Sequence, residues 1–250
     1  MSPVDVVKAT PADLAVVLGW LEREYAEDGD GFWCNRSIIE RSLEYDDLWV
    51  IRHDGEAVAF QVGDYAAEIV SVRKDWRGKG LGDLLFAASL DRAIADNVNV
   101  LSIECAPRSS WTFWQRHGFE RYGDLGEWGK ITARRMHPRA FDIPPELPPA
   151  KVVVGFYPEA ATYGRGDVAP IAVHELRGGR LDDGAIMLER RVIGLVDDEP
   201  EGKNLVVKIE VDGKQRCFCK AKYDEAEESG VIHDRKGGAY YIDFVEVRDA

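Results

Sequence analysis

Between Pro138 and Pro149 the chain reads PRAFDIPPELPP, and no other feature constrains its folding as much. Each proline lacks an amide hydrogen and fixes φ near −65°, so neither a helix nor a central strand can run through this stretch. The apolar pattern also changes across it. Before it, helical spacings alternate with strand-like runs; after it, only the strand period of two recurs. A chain of 250 residues is long enough for two domains. We therefore expect domains at 1–140 and 150–250, joined by a linker at 141–149.

In the first segment, Val4–Lys8 reads as a strand. Thr10 then caps a helix that has Pro11 at its first position and Leu14, Val17, Leu18 and Leu21 along one face. A short helix is expected over Ser37–Leu43. An antiparallel meander follows at Leu48–Arg52, Val58–Val62 and Ala67–Val72, its first turn carrying Asp54-Gly55. Leu81, Leu84, Leu85 and Ala88 place a helix over about Gly82–Asp96. Val100–Ala106 reads as a strand, Ser109–Arg116 as a short helix, and Phe119–Tyr122 and Lys130–Met136 as the last strands.

The second segment is expected to be a small all-β barrel or sandwich. Its strands are Lys151–Tyr157, Ile171–Leu176, Ala185–Val196, Asn204–Val211, Lys214–Lys222 and Ala239–Val247. Val207, Ile209 and Val211 alternate with Lys208 and Glu210, Asp212-Gly213 supplies a two-residue turn, and Cys217, Cys219 and Ala221 return on one face.

The stretch richest in chemistry is Ile69–Gly82, where a strand enters a loop with three glycines, Arg77 and Lys79, and the loop opens directly into the amphipathic helix. Glycines admit close approach of an anion to backbone amides, and the helix N-terminus adds about half a positive charge. These are the parts of a phosphate cradle. The spacing fits neither a P-loop nor the dinucleotide fingerprint GxGxxG.

Arg77-Gly78-Lys79-Gly80-Leu81-Gly82 resembles the signature of the GNAT superfamily of acyltransferases: Arg or Gln, two residues, Gly, one residue, Gly or Ala. The Val100–Ala106 strand, the Ser109–Arg116 helix and Gly118-Phe119 follow at the family's spacing, so the resemblance spans Val4 to about His137. It implies an α/β (α+β) domain with a mixed, largely antiparallel sheet and flanking helices. It implies acetyl-CoA as co-substrate, with the diphosphate on Arg77, Gly78, Lys79, Gly80, Leu81 and Gly82 and the pantetheine arm on backbone groups of Ser71 and Val72. Ser110 and Trp114 are expected to face the coenzyme too. The implied reaction is direct acetyl transfer to a primary amine in a ternary complex, without a metal. Many members carry a tyrosine that protonates the leaving thiolate four residues before the Gly of Gly-Phe; here that position is Trp114, and an indole N–H is no proton source near neutral pH. Either no acid is needed, or Tyr122 or a water supplies it, or catalysis has been lost.

An alkylammonium with pKa near 10.4 must lose a proton before it attacks, which costs about 4.6 kcal/mol at pH 7. Glu68, on the strand before the loop, and Glu104, on the strand expected to splay from it, are the candidate bases. The acidic run Glu22–Asp30, with Phe32 and Trp33 after it, suits one wall of the acceptor site, where carboxylates attract an amine and aromatics cover its stem.

The net charge of −13 argues against a nucleic-acid partner and suits a cationic one, either a small amine or a protein lysine. The opening MSPVDVVKATPADL holds no apolar run of signal-peptide length, nowhere do 18 apolar residues follow one another, and four unevenly spaced cysteines do not form a disulfide framework. A cytoplasmic protein without a membrane partner is expected. Nothing in the sequence fixes the oligomeric state or the acceptor. Cys217-x-Cys219 has no second ligand pair, His174-Glu175 lacks the second histidine of HExxH, and Arg165-Gly166-Asp167 reads as a turn. Two further readings stay open: an acyl-CoA-binding regulatory module without catalysis, and an interaction protein whose β-domain recruits a partner.

Overall fold

The computed structural model describes residues 5–29, 31–65, 68–122, 130–137, 139–164, 168–198 and 204–247. Val4, Asp30, Ala67, Pro138 and the Arg165-Gly166-Asp167 triplet lie outside them. The chain forms two compact units. The first is Met1–Asn97 with Leu101–Arg135; the second is Val98–Val100 with Met136–Ala250.

The first unit is mixed α/β. Strands β1 (Val6–Lys8), β2 (Leu48–His53), β3 (Glu56–Val62) and β4 (Ile69–Val72) form a four-stranded antiparallel sheet in that order. Strands β5 (Val100–Cys105), β6 (Glu120–Arg121) and β7 (Ile131–Met136) form a separate sheet in the order β5-β7-β6. Thus β4 is the edge of its sheet and does not pair with β5. Helix α1 (Pro11–Asp28) precedes α2 (Arg36–Glu44), α3 (Leu81–Ala95) follows β4, and α4 (Trp111–Arg116) follows β5.

Helix α1 starts where Thr10 and Pro11 predict, and Asp13 closes a capping box. The Asp13 amide donates to Thr10 Oγ1 at 3.4 Å, and the Thr10 amide donates to Asp13 Oδ2 at 2.7 Å. Such a cap contributes about 0.5–2 kcal/mol. Its inner face buries Val17, Trp20 and Leu21 against Val50, Phe60 and Val62 of the sheet. Helix α3 corrects one expectation. Leu84 is 41% exposed, and Phe86 and Ser89 are buried in its place with Leu81 and Leu85. The inward arc extends towards Phe86, which meets Trp114, His117 and Phe119 edge-on or tilted, and towards Ser89, whose hydroxyl donates to buried Gln61 at 2.9 Å.

Arg52 donates to both oxygens of Asp13, from Nε at 2.7 Å and from Nη2 at 2.6 Å. Chiefly through this pairing, and against the opposing effect of burial, the Asp13 carboxyl is held down at about 2, from 3.8. A depressed acid stabilises the fold fully above its unfolded value and ceases to do so as pH falls through its folded value. The first unit should therefore lose stability between about pH 4 and pH 2, and Asp13→Asn should flatten that stretch of the profile. Tryptophan fluorescence checks this, because all seven tryptophans lie at or before residue 128.

The second unit holds one seven-stranded antiparallel sheet. Its strands are β8 (Pro149–Tyr157), β9 (Ala172–Arg180), β10 (Ile186–Leu195), β11 (Val206–Val211), β12 (Lys214–Lys220), β13 (Ile232–Asp234) and β14 (Ala239–Val245), in the order β12-β11-β8-β9-β10-β14-β13. Alternation works as read: Val207, Ile209, Val211 and Cys217 join the core with Val152, Val154 and Ile242. Asp212 and Gly213 turn the β11–β12 hairpin with φ of 51° and 78°, the left-handed pair that a two-residue turn requires. The sequence did not reveal the short helix α5 (Asp224–Glu227) or β13. Along 139–149, Ala140 bridges Arg190, the Phe141 amide donates to the Glu189 carbonyl at 2.9 Å, and Pro149 opens β8.

Two buried polar clusters tie this unit together. Arg191 grips both oxygens of Asp243 and donates to Asn99 Oδ1 at 2.6 Å. Asp234 Oδ2 accepts from the Asn99 amide at 2.6 Å and from its side chain at 2.9 Å. The Cys217 and Cys219 sulfurs lie 3.4 Å apart, and burial, with Cys217 beside it, pushes the Cys219 thiol up to about 12. Among the described residues no group of three His, Cys, Asp or Glu side chains is placed to hold a metal, and no helix is long and apolar enough to cross a membrane.

Candidate active site

The unpaired edge of β4 faces a cleft in the first unit. Its two lobes, of about 510 and 330 Å³, share Phe32, Val70, Ser71, Val72, Arg77 and Pro107. The larger lobe reaches the C-terminal end of α1 at Glu24 and Asp28, and Cys34 and Asn35 beyond it. The smaller lobe reaches Glu68, Gly82, Glu104, Ser110, Phe113 and Trp114. The splay between β4 and β5 expected from sequence is therefore a real opening, with both candidate bases on its walls.

The loop after β4 turns on left-handed glycines. Gly78 and Gly80 have φ of 73° and 80°, and Gly80 is the N-cap of α3 with no side chain completing the cap. A helix of this length leaves its first amides unpaired, so the N-terminus of α3 presents donors to an anion. Gly82, the second residue of α3, sits so close to Phe113 that a Cβ would lie 3.2 Å from the ring. Lys79 lies over the Trp76 ring, 4.0 Å from its centroid.

Arg77 points back along the cleft rather than outward. Its Nε–H donates to the Val72 carbonyl at 2.9 Å, and its Nη2 donates to Glu24 Oε2 at 2.9 Å. Glu24 Oε1 accepts the Lys74 amide at 2.8 Å, and the Lys74 ammonium meets Glu27 at 3.5 Å and also pairs with Asp28. Carboxylates at 24, 27 and 28 thus share one helix face at the i, i+3, i+4 spacing and clasp the loop. Of the acidic run Glu22–Asp30, Glu24 and Asp28 line the larger lobe. Their pairing with Arg77 and Lys74 was not legible, because the partners lie about fifty residues away along the chain.

The two candidate bases differ in surroundings. Glu104 Oε1 is 2.6 Å from the Lys130 ammonium. Glu68 has no hydrogen-bond or ion-pair partner among the described residues, and its charge falls near Asp47. Burial first, then Glu68 and Asp64, push the Asp47 carboxyl above its usual range, and Asp47 Oδ1 is buried without a partner. Trp114 is 8% exposed and packs edge-on against Phe86, Phe113 and Phe119, so it is a wall of the smaller lobe and part of the core at once. The Ser110 hydroxyl donates to the Pro107 carbonyl at 2.8 Å. Tyr122 lies under the Arg134 guanidinium, 5.0 Å from its ring centroid, and is not among the residues lining either lobe.

Residues 44–121 match the acetyltransferase (GNAT) domain model. The match holds β2 to β6, and with them the loop and both lobes' shared strand. No curated protein matches the chain. Solved structures similar to it include the PaiA N-acetyltransferase of Thermoplasma acidophilum in complex with coenzyme A, at 11% identity over 54% of this chain and 99% of that one, TM-score 0.42. A GNAT-family acetyltransferase of Listeria monocytogenes is 14% identical over 54% and 95%, TM-score 0.43. A ribosomal-protein-alanine N-acetyltransferase of Brucella melitensis is 21% identical over 53% and 99%, TM-score 0.42. The matched residues lie wholly within the first 140.

Proposed function

We propose that the protein is an N-acetyltransferase that moves an acetyl group from acetyl-CoA directly to a primary amine, a small molecule or a protein lysine. The observation that carries this reading is the cleft itself: an unpaired β4 edge, a left-handed glycine loop and a helix N-terminus converge on one opening. Coenzyme diphosphate would lie on the amides from Gly78 to Gly82 with Lys79 beside them. The pantetheine amides would pair with Ser71 and Val72, as an added strand pairs with an open edge. The thioester would then sit in the smaller lobe between Ser110, Trp114 and Glu68, and the amine would enter from the larger one.

In this reading Glu68 takes the proton from the acceptor ammonium, directly or through a water, because it is the cleft carboxylate without a competing cation. Glu104, held by Lys130, serves to orient. The free amine attacks the thioester carbonyl, the tetrahedral oxyanion is stabilised by a backbone amide near Val72, and collapse expels the thiolate. A thiol with pKa near 8.5 leaves at pH 8 with only mild help, so Trp114 in the position of the family's tyrosine is tolerable, with a water as proton source. In domain terms, 1–140 carries this chemistry, 141–149 joins, and 150–250 has an accessory task in the cytoplasm. The buried, proton-inert Trp114 favours one other reading, an acyl-CoA sensor that does not turn over.

Coenzyme binding tests both. Acetyl-CoA at about 100 times its dissociation constant should stabilise the fold by roughly 2.7 kcal/mol, read as a rise in melting temperature. Gly80→Asp should remove the rise, since it puts a side chain on a left-handed residue and a carboxylate near Asp83 where diphosphate would lie. A wild-type protein that melts unchanged with acetyl-CoA and with free coenzyme A would refute both readings. Thiol release against a panel of amines then separates the enzyme from the sensor.

A further inference from the structure

We propose that Glu24 is the ammonium anchor of the acceptor lobe and that Arg77 masks it until the coenzyme binds. This rests on the acetyl-CoA reading above and adds to it a binding order and a residue.

In the structure Arg77 makes two contacts across the cleft, to the Val72 carbonyl and to Glu24, each at 2.9 Å. Both conflict with bound coenzyme. The Val72 carbonyl lies on the β4 edge that the pantetheine amides would use. Arg77 itself belongs to the loop that would hold the diphosphate. An arginine in this pose fills the path of the arm, so the coenzyme must displace it, and a doubly charged diphosphate beside the loop supplies a better partner.

Displacement changes the electrostatics of the other lobe. The Glu24 side chain is 13% exposed and Arg77 is 55% exposed, so the carboxylate is the confined member of the pair and the guanidinium the one free to swing. With Arg77 in place the pair is neutral, and an arriving ammonium gains little. Once Arg77 leaves, Glu24 keeps only the Lys74 amide on its other oxygen. An under-compensated carboxylate in a confined lobe is costly, and an alkylammonium that reaches it removes the cost. Phe32, which lines the same lobe, offers apolar cover for the stem. Asp28 does not fill this role, because Lys74 already holds it.

Coenzyme and amine therefore bind with positive coupling, and by linkage each tightens the other by the same factor. Glu24→Gln keeps an oxygen for the Lys74 amide and removes the charge. Glu27→Gln makes the same charge change on the next turn, at a residue paired with Lys74 and absent from the cleft lining.

The test is calorimetric titration of the full chain with coenzyme A, alone and with n-butylammonium or its neutral analogue n-butanol. Coenzyme should bind Glu24→Gln about 3- to 10-fold more tightly than wild type, because no ion pair has to be broken, and Glu27→Gln should stay within about 2-fold. Butylammonium should tighten coenzyme binding to wild type by about 3-fold or more, butanol should not, and Glu24→Gln should lose the effect. Should Glu24→Gln melt abnormally, Glu24→Asp, too short to span to Arg77, should likewise bind coenzyme more tightly and lose the butylammonium effect, because its carboxylate is open to the amine whether or not coenzyme is bound. Equal or weaker coenzyme binding by Glu24→Gln, or coupling that survives in it, overturns the proposal while leaving the acetyl-CoA reading intact. Absence of coenzyme binding by wild type overturns both.

Discussion

Glu68→Gln should lower the rate of acetyl transfer by about 10²–10⁴ at pH 7. The size follows from the acceptor: an alkylammonium of pKa near 10.4 is neutral in only about one molecule in 2,500 at that pH, and a positioned carboxylate removes the proton where it matters. The deficit should shrink as pH rises towards 10, because the solution then supplies neutral amine without help. Glu104→Gln should cost less at every pH, since Lys130 already neutralises that carboxylate at 2.6 Å. A pH–rate profile for the three proteins with one responsive amine checks the argument. Equal losses for the two variants would assign Glu68 no special part, and a loss that persists unchanged at pH 10 would mean that the side chain positions the substrate rather than moving its proton.

The largest stability change is expected in the second unit. Asp243→Ala leaves the Arg191 guanidinium, 4% exposed, without its carboxylate, and breaking a buried pair from one side costs about 3–5 kcal/mol. Replacing both members by apolar residues, Arg191→Met with Asp243→Leu, should cost much less, because no charge is then stranded. Tryptophan fluorescence is silent here, as no tryptophan lies beyond residue 128. Native-state hydrogen exchange of the β10 and β14 amides at rising urea reads this unit instead. A loss below about 1 kcal/mol for Asp243→Ala would show that water reaches Arg191 and that the pair is not truly desolvated.

What could be read from the sequence was local. The cap at Thr10-Pro11, the turn at Asp212-Gly213 and the passage from strand through Gly78 and Gly80 into helix each depend on residues within a few positions. Backbone sterics decide them there. Alternation in β11 and β12 was equally legible, because a period of two allows one register per buried face. In the apolar arc of α3 the sequence suggests Leu84 where the fold buries Phe86, two positions on, since adjacent apolar residues at 84–86 leave the direction of the core to tertiary contacts. Long-range pairings left no trace. Glu24 with Arg77 and Lys74, Glu104 with Lys130, and Asn99 with Asp234 each join ordinary charged or polar residues whose spacing carries no signature. The loop from Arg77 to Gly82 was legible because it is contiguous; Glu68, Glu104 and the acidic run of α1 were legible singly, but not how α1, β4 and β5 bring them to one cleft.

Asn99 gives the fold a timing problem. It leaves the ribosome 135 residues before Asp234, the carboxylate that takes both its amide and its side chain. At about 5–20 residues per second, roughly 7–27 s pass before the partner exists. During that interval Val98–Val100 cannot enter the unit to which it belongs, although the helix before it and the strand residues after it are already made. Nascent chains stalled short of residue 234 would therefore carry a three-residue gap in an otherwise formed first unit, and a protease that cuts extended backbone would find it there.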